Sequence, residues 1–66
     1  MREAQTKQVL RHMELYGEID ALTAMRDYRC MRLAARIADL KAQGVSIWTE
    51  MRSENGKRWA VYGINS

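Results

Sequence analysis

The spacing of apolar residues changes at Gly44, from a helical period before it to an alternating period after it. Upstream, three apolar residues recur at i, i+4 and i+7: Leu33, Ile37 and Leu40. This spacing predicts one buried face of a helix over residues 31–43, with Gly44 as its C-cap. Downstream, apolar and polar residues alternate over 45–52, which predicts a strand. The chain therefore combines helical and strand segments in a fixed order.

A two-residue turn signal separates this strand from a second one. Asn55-Gly56 is a strong indicator of a β-hairpin, because a type I′ turn requires positive φ at both central residues. Residues 59–64 beyond it are rich in aromatic and β-branched side chains, which favour strands. Trp48 and Trp59 lie on either side of the tip and are candidates for a cross-strand pair. Trp48 is also the candidate for a surface that contacts a partner.

The first half of the chain predicts two helices. Thr6 is the expected cap of a helix over 6–16, which a glycine follows. Asp20 is the expected N-cap of a second helix over 21–27, because its carboxylate can accept hydrogen bonds from free backbone N–H groups. Between the helices, Ile19 is a lone apolar residue that can pair briefly as a strand.

This order of elements is typical of one α+β fold. Two short helices joined by a tight turn at 28–30 and followed by a β-hairpin indicate a winged helix-turn-helix, with three helices and a two-stranded wing. Sixty-six residues have room for one domain, over 1–66, which buries a modest share of its surface. Its stability therefore depends on a small apolar core or on a partner.

The composition excludes several other classes of protein. Cys30 is the only cysteine and His12 the only histidine, so neither an intramolecular disulfide nor a four-ligand zinc site is expected. No apolar run approaches the ~20 residues that span a membrane, and no signal peptide opens the chain, which favours the cytoplasm. The sequence contains no glycine-rich phosphate loop and no nucleophile–base motif, so we expect a non-enzyme without a cofactor.

The segment Arg-Leu-Ala-Ala-Arg-Ile-Ala-Asp-Leu at 32–40 is the most distinctive stretch of the chain. Further matching positions are Gly17-Glu18-Ile19, Ala24, Tyr28, Gly44 and Val61-Tyr62. On these residues the chain resembles the small helix-turn-helix DNA-binding proteins of bacteriophages and prophages. The resemblance implies transcription regulation or an accessory role in excision. It departs at the turn, where such families often carry glycine and this chain has Arg29 or Cys30.

The cationic residues are the candidates for contact with DNA. The net charge of +3 is compatible with nucleic acid without requiring it, but eight of the eleven cations are arginine, whose planar fork suits phosphates and guanine edges. We expect double-stranded DNA as the partner, with the helix over 31–43 in the major groove and the wing over 53–58 on the backbone. The candidate DNA-binding residues are Arg29, Arg32, Ala35, Arg36, Thr23, Arg26, Asn55, Lys57 and Arg58. Arg52, at the base of the wing, belongs to the same group of cations.

Each of these positions also has a purely structural interpretation. Arg36 can pair with Asp39, and the wing cations can belong to an ordinary solvated hairpin. A second class of function also stays open: the low net charge and Trp48 are consistent with a module that binds a host protein. If DNA is the partner, the small footprint of such a domain favours a homodimer or a cooperative array.

Overall fold

Three helices and a three-stranded antiparallel sheet make up the computed structural model, which describes residues 4–65. The elements are α1 (Gln5–Tyr16), β1 (Glu18–Asp20), α2 (Ala21–Tyr28), α3 (Leu33–Ala42), β2 (Ile47–Glu54) and β3 (Lys57–Ile64). Their order is the predicted one. The hairpin gains a third strand, because the short segment at Ile19 pairs with β3.

The ends of α1 and α2 follow local capping chemistry. Thr6 lies inside α1, whose N-cap is Ala4 without a side-chain cap, so the prediction of Thr6 as the cap is wrong. Gly17 ends α1 in the left-handed region at φ 89°, as a helix C-cap favours. Asp20 is confirmed as the N-cap of α2, since its Oδ1 accepts a hydrogen bond from the backbone N–H of Thr23 at 2.8 Å.

The third helix is shorter than the predicted range of 31–43. It begins two residues later, at Leu33, because the residue before it, Arg32, has non-helical angles of φ −126° and ψ 61°. At its other end the N–H of Val45 donates to the carbonyl of Leu40 at 3.0 Å, with Gly44 at φ 96° between them. This hydrogen bond and the left-handed glycine form a Schellman motif, which reverses the chain into β2.

The sheet has the strand order β1-β3-β2. Asn55 and Gly56 have φ of 52° and 79°, which confirms the predicted turn with positive φ at both positions. Residues at equal distances along the chain from this turn pair with each other, and Trp48 lies farther from the turn than Trp59 does. Trp48 consequently pairs with Gly63 and Trp59 with Arg52, so the predicted pairing of the two tryptophans is wrong.

The helices pack on one face of the sheet to form the main core. The buried cluster consists of Val9, Met13, Ile19, Ala24, Cys30, Leu33, Ile37 and Leu40. The three predicted core positions of α3 are therefore confirmed. Val61 on β3 is fully buried as well but lies outside this cluster. Because successive strand residues alternate in facing, Val61 belongs to the other face of the sheet from Tyr62, which packs against the core.

Two features are absent from the described part of the chain. Across residues 4–65, no helix has both the length and the apolar character needed to cross a membrane. The same residues contain no cluster of three or more histidine, cysteine or acidic side chains placed to hold a metal ion.

Candidate nucleic-acid interface

The turn between α2 and α3 reverses the chain without glycine. Arg29 adopts the left-handed conformation at φ 54° and ψ 32°, and its N–H donates to the carbonyl of Met25 at 2.9 Å. Cys30 follows it into the core, where it is 1% exposed. The position at which related turns often carry glycine is therefore Arg29. A non-glycine residue here costs roughly 1–2 kcal/mol, and the conformation leaves the Arg29 side chain exposed.

The N-terminus of α3 lacks a side-chain cap. Arg32 occupies the N-cap position, and its side chain accepts no hydrogen bond from the first turn. Its carbonyl accepts from the N–H groups of Ala35 and Arg36 at 3.1 and 3.2 Å, which starts the helical ladder. An N-terminus without a capping oxygen offers free N–H groups and the positive end of the helix dipole to an anion. The exposed guanidinium of Arg32 lies beside it.

The candidate cations divide into two groups according to their partners. Arg36 is half-buried and its Nε lies 3.2 Å from Oδ2 of Asp39, without the geometry of a hydrogen bond. Arg26 is exposed and pairs with Asp27 at 3.1 Å. The other group is exposed and has no ion pair with any of residues 4–65: Arg29, Arg32, Lys57 and Arg58.

The wing presents polar and cationic side chains at its tip. Asn55, Lys57 and Arg58 are all exposed. On one side the tip borders a groove that reaches the start of α2, with Leu22 and Trp59 in its lining. The groove also contains the carboxylates of Asp20 and Glu54, so its potential is mixed rather than uniformly positive.

Arg52, at the base of the wing, is held by two carboxylates. Its terminal nitrogens lie 2.7 and 3.0 Å from the two oxygens of Glu18, and its Nε lies 2.6 Å from Glu50. The hydrogen bonds from Arg52 hold the pKa of the Glu18 carboxyl below its ordinary value. The same contacts raise the pKa of Arg52. Arg52 therefore braces the sheet, unlike Lys57 and Arg58, which have no ion pair within residues 4–65.

The remaining candidates, Thr23 and Arg26, lie on α2 beside a shallow hollow that His12 and Tyr28 also line. The backbone N–H of Thr23 is occupied by the cap of α2, while its side chain is half-buried. In the floor of the hollow, Nδ1 of His12 lies 2.7 Å from the hydroxyl of Tyr28, and burial raises the pKa of that hydroxyl.

An exposed apolar strip adjoins the turn, and the sequence did not indicate it. Leu22, Met25 and Met31 are 75, 50 and 76% exposed. Met25 and Met31 line a small hollow together with Arg29. The i, i+3 spacing of Leu22 and Met25 suggests a packed helix face, but Ala24 is the residue of α2 that is fully buried.

A helix, a turn and a second helix set against a β-hairpin define the winged-helix class of domain. The family model described as "Winged helix-turn-helix domain" matches residues 4–66, and the chain belongs to that family. Membership suggests DNA binding as the general function, on a fold that is typically non-enzymatic. No curated protein matches the chain, and no solved structure matches it.

Proposed function

We propose that the protein is a sequence-specific double-stranded DNA-binding protein, acting as a small transcription regulator or excision accessory factor of the phage type it resembles. The observation that carries this proposal is the uncapped N-terminus of α3 with Arg32 beside it and Arg29 three residues before. Both guanidinium groups are exposed and have no ion pair among residues 4–65.

Binding begins with phosphate contacts at this end of α3. An arginine beside free helix N–H groups matches the charge and the acceptor pattern of a phosphate. Ala35, the third residue of α3, is half-buried, and its small side chain allows close approach to a base edge and contact with a thymine methyl group. Arg36 plays a smaller part, because Asp39 already offsets its charge and its side chain is half-buried.

The wing and α2 add contacts on either side of the groove. Lys57 and Arg58 extend from the exposed hairpin tip, where Asn55 offers a hydrogen-bonding amide, and we assign them to the flanking backbone. Thr23 and Arg26 are assigned to the backbone that α2 crosses. These contacts and the phosphate contacts at the start of α3 position the protein on the duplex, while α3 reads its sequence through side chains that reach base edges, such as Ala35.

Fluorescence anisotropy with labelled duplexes tests this function. With about four to six phosphate contacts, the logarithm of the binding constant falls with the logarithm of salt concentration at a slope of about −4 to −5. Selection from a random duplex pool, carried out in parallel, is expected to enrich one sequence. Absence of binding at about 50 mM salt, or an affinity independent of salt, contradicts the proposal.

The exposed strip of Leu22, Met25 and Met31 favours a second candidate, a module that binds a host protein. A protein partner that is retained at constant stoichiometry after nuclease treatment supports it. Leu22→Glu is then expected to abolish retention and Arg32→Glu to leave it intact, whereas DNA binding predicts the reverse sensitivity.

A further inference from the structure

Strand β2 is an edge strand along its whole length. Among residues 4–65, the sheet order β1-β3-β2 leaves one side of Ile47–Glu54 without a neighbouring strand. An eight-residue edge offers a row of N–H and C=O groups to any strand of matching register. The other outer strand, β1, has only three residues and leads directly into α2. The longest free edge of the sheet is therefore that of β2.

The hairpin register determines which backbone groups face this free edge. Glu54 and Lys57 flank the two-residue turn and form its closing hydrogen-bonded pair. Antiparallel pairs alternate between bonded and non-bonded, so every second residue of β2 bonds to β3. The residues between them direct their N–H and C=O groups outward: Thr49, Met51 and Ser53.

We propose that β2 pairs with β2 of a second copy of this chain, antiparallel and around a two-fold axis at Met51. In this register Met51 faces its own counterpart, and Thr49 faces Ser53 of the partner copy. These are the residues whose backbone groups point outward, so three bonded pairs with two hydrogen bonds each give about six new backbone hydrogen bonds. The proposal is independent of the proposed DNA-binding function.

Charge complementarity and strand overlap together select this register. Glu50 bonds Arg52 of its own chain at 2.6 Å, and with the axis at Met51 it also lies opposite Arg52 of the other copy, so that the four charges alternate in sign. An axis at Glu50 or at Arg52 places like charges opposite each other, which is destabilising. An axis at Ser53 also places Arg52 opposite Glu54 of the other copy, twice by symmetry, but it pairs only the last three residues of β2. With the axis at Met51, by contrast, all of residues 48–54 pair with the same segment of the other copy.

The exposed side chain of Met51 supports the same interface. It is 57% exposed on a strand whose neighbouring positions are polar or charged. Pairing around Met51 brings the two methionine side chains together on one face of a continuous six-stranded sheet. A two-fold axis at this position presents the DNA-binding surface twice, which corresponds to a palindromic site if the protein binds DNA.

Site-directed cross-linking tests the register directly. Residues opposite each other in a bonded antiparallel pair have Cα atoms about 5.5 Å apart, within the range that a disulfide spans. In a Cys30→Ala background, Met51→Cys is expected to give a covalent dimer on mild oxidation without DNA. Thr49→Cys is the matched control, because two copies of residue 49 lie about 14 Å apart. Thr49→Cys is instead expected to cross-link to Ser53→Cys in a mixture.

A monomeric Met51→Cys variant, or equal self-cross-linking of Thr49→Cys, overturns the proposal. Because Cys30 belongs to the core, circular dichroism checks the fold of the background variant. If that variant does not fold, the same comparison is made with Cys30 retained, and the bridged residues are identified by mass spectrometry.

Analytical ultracentrifugation gives a second test on the unmodified chain, again without DNA. Glu50→Arg places two arginines opposite each other and is expected to weaken dimerisation about tenfold or more. Glu14→Arg, an equal change of charge at an exposed position of α1, is the control and leaves dimerisation unchanged. A wild-type chain that stays monomeric at about 100 μM, or equal dimerisation constants for wild type and Glu50→Arg, contradicts the proposed interface.

Discussion

Arg52 on β2 forms a bidentate ion pair with Glu18 on β1, at 2.7 and 3.0 Å. The two strands are not neighbours, because β3 lies between them. The arginine side chain therefore crosses the middle strand and ties the outer strands together. On the same face of β3, Val61 is fully buried although it lies outside the main core. This contact adds to the backbone pairing of β3 with both outer strands and secures the wing on the sheet.

We expect Arg52→Ala to lower the midpoint of thermal unfolding by a few degrees, because it removes the brace between β1 and β2. Arg58→Ala is the matched control, since Arg58 is an exposed arginine of the same hairpin without an ion pair among residues 4–65. Circular dichroism melts measure both. Equal midpoints for the two variants would show that the ion pair contributes nothing to stability.

The same ion pair predicts a dependence of stability on pH. The pKa of Glu18 is lowered in the folded state, chiefly by hydrogen bonds from Arg52, so the unfolded chain takes up a proton first. The ion pair of Glu18 therefore contributes its full stabilisation at pH values above the ordinary carboxyl pKa of 4.5. This stabilisation is lost as the pH falls through the lower pKa of Glu18 in the folded state. The free energy of unfolding, measured in urea, is expected to fall more steeply over this pH window for wild type than for Glu18→Gln. Parallel curves would refute this assignment.

Gly63 is expected to tolerate no larger residue. A Cβ atom there would overlap the indole of Trp48 and lie 2.7 Å from the carbonyl oxygen of Gly17. Gly63→Ala is expected to lower the free energy of unfolding by about 3 kcal/mol or more. Gly17→Ala is the control: it meets no atom within 4 Å, and its positive φ alone predicts a loss of about 1 kcal/mol. A smaller loss at Gly63 than at Gly17 would contradict the packing of Trp48 on β3.

The left-handed Arg29 predicts opposite effects on stability and on binding. Arg29→Gly relieves the conformation at φ 54° and is expected to raise the free energy of unfolding by up to about 1 kcal/mol. It also removes a cation that has no ion pair among residues 4–65, so under the proposed function duplex affinity is expected to fall and the salt slope to decrease by about one. Denaturant unfolding and anisotropy titration measure the two effects. A variant that is both less stable and equally tight in binding would contradict this account of the turn.

Local signals predicted much of the fold. The Asn55-Gly56 turn, the cap at Asp20 and the buried stripe of α3 each depend on residues close in sequence. Contacts between residues far apart in the sequence were not predictable in the same way. Trp48 and Trp59 were expected to meet, but the register places Gly63 and Arg52 opposite them.

The candidate interface was predictable by residue type rather than by environment. The sequence named candidate arginines, which remain a prediction, and the spacing of Arg36 and Asp39 left their pairing open, which the structure shows at 3.2 Å. The pairing of Arg52 with Glu18 joins residues 34 positions apart and has no local signal. The exposure of Leu22 likewise depends on how α2 packs, which an i, i+3 pattern alone does not specify.

The central claim is that the N-terminus of α3 contacts DNA, and two charge reversals on this segment test it most directly. Arg32→Glu and Lys41→Glu change the net charge equally at exposed positions, but they lie nine residues apart, about 13 Å along the helix. In anisotropy titrations against one duplex, we predict at least a tenfold loss of affinity for Arg32→Glu and less than a threefold loss for Lys41→Glu. Equal losses for the two variants, or an unchanged affinity for Arg32→Glu, would contradict the claim.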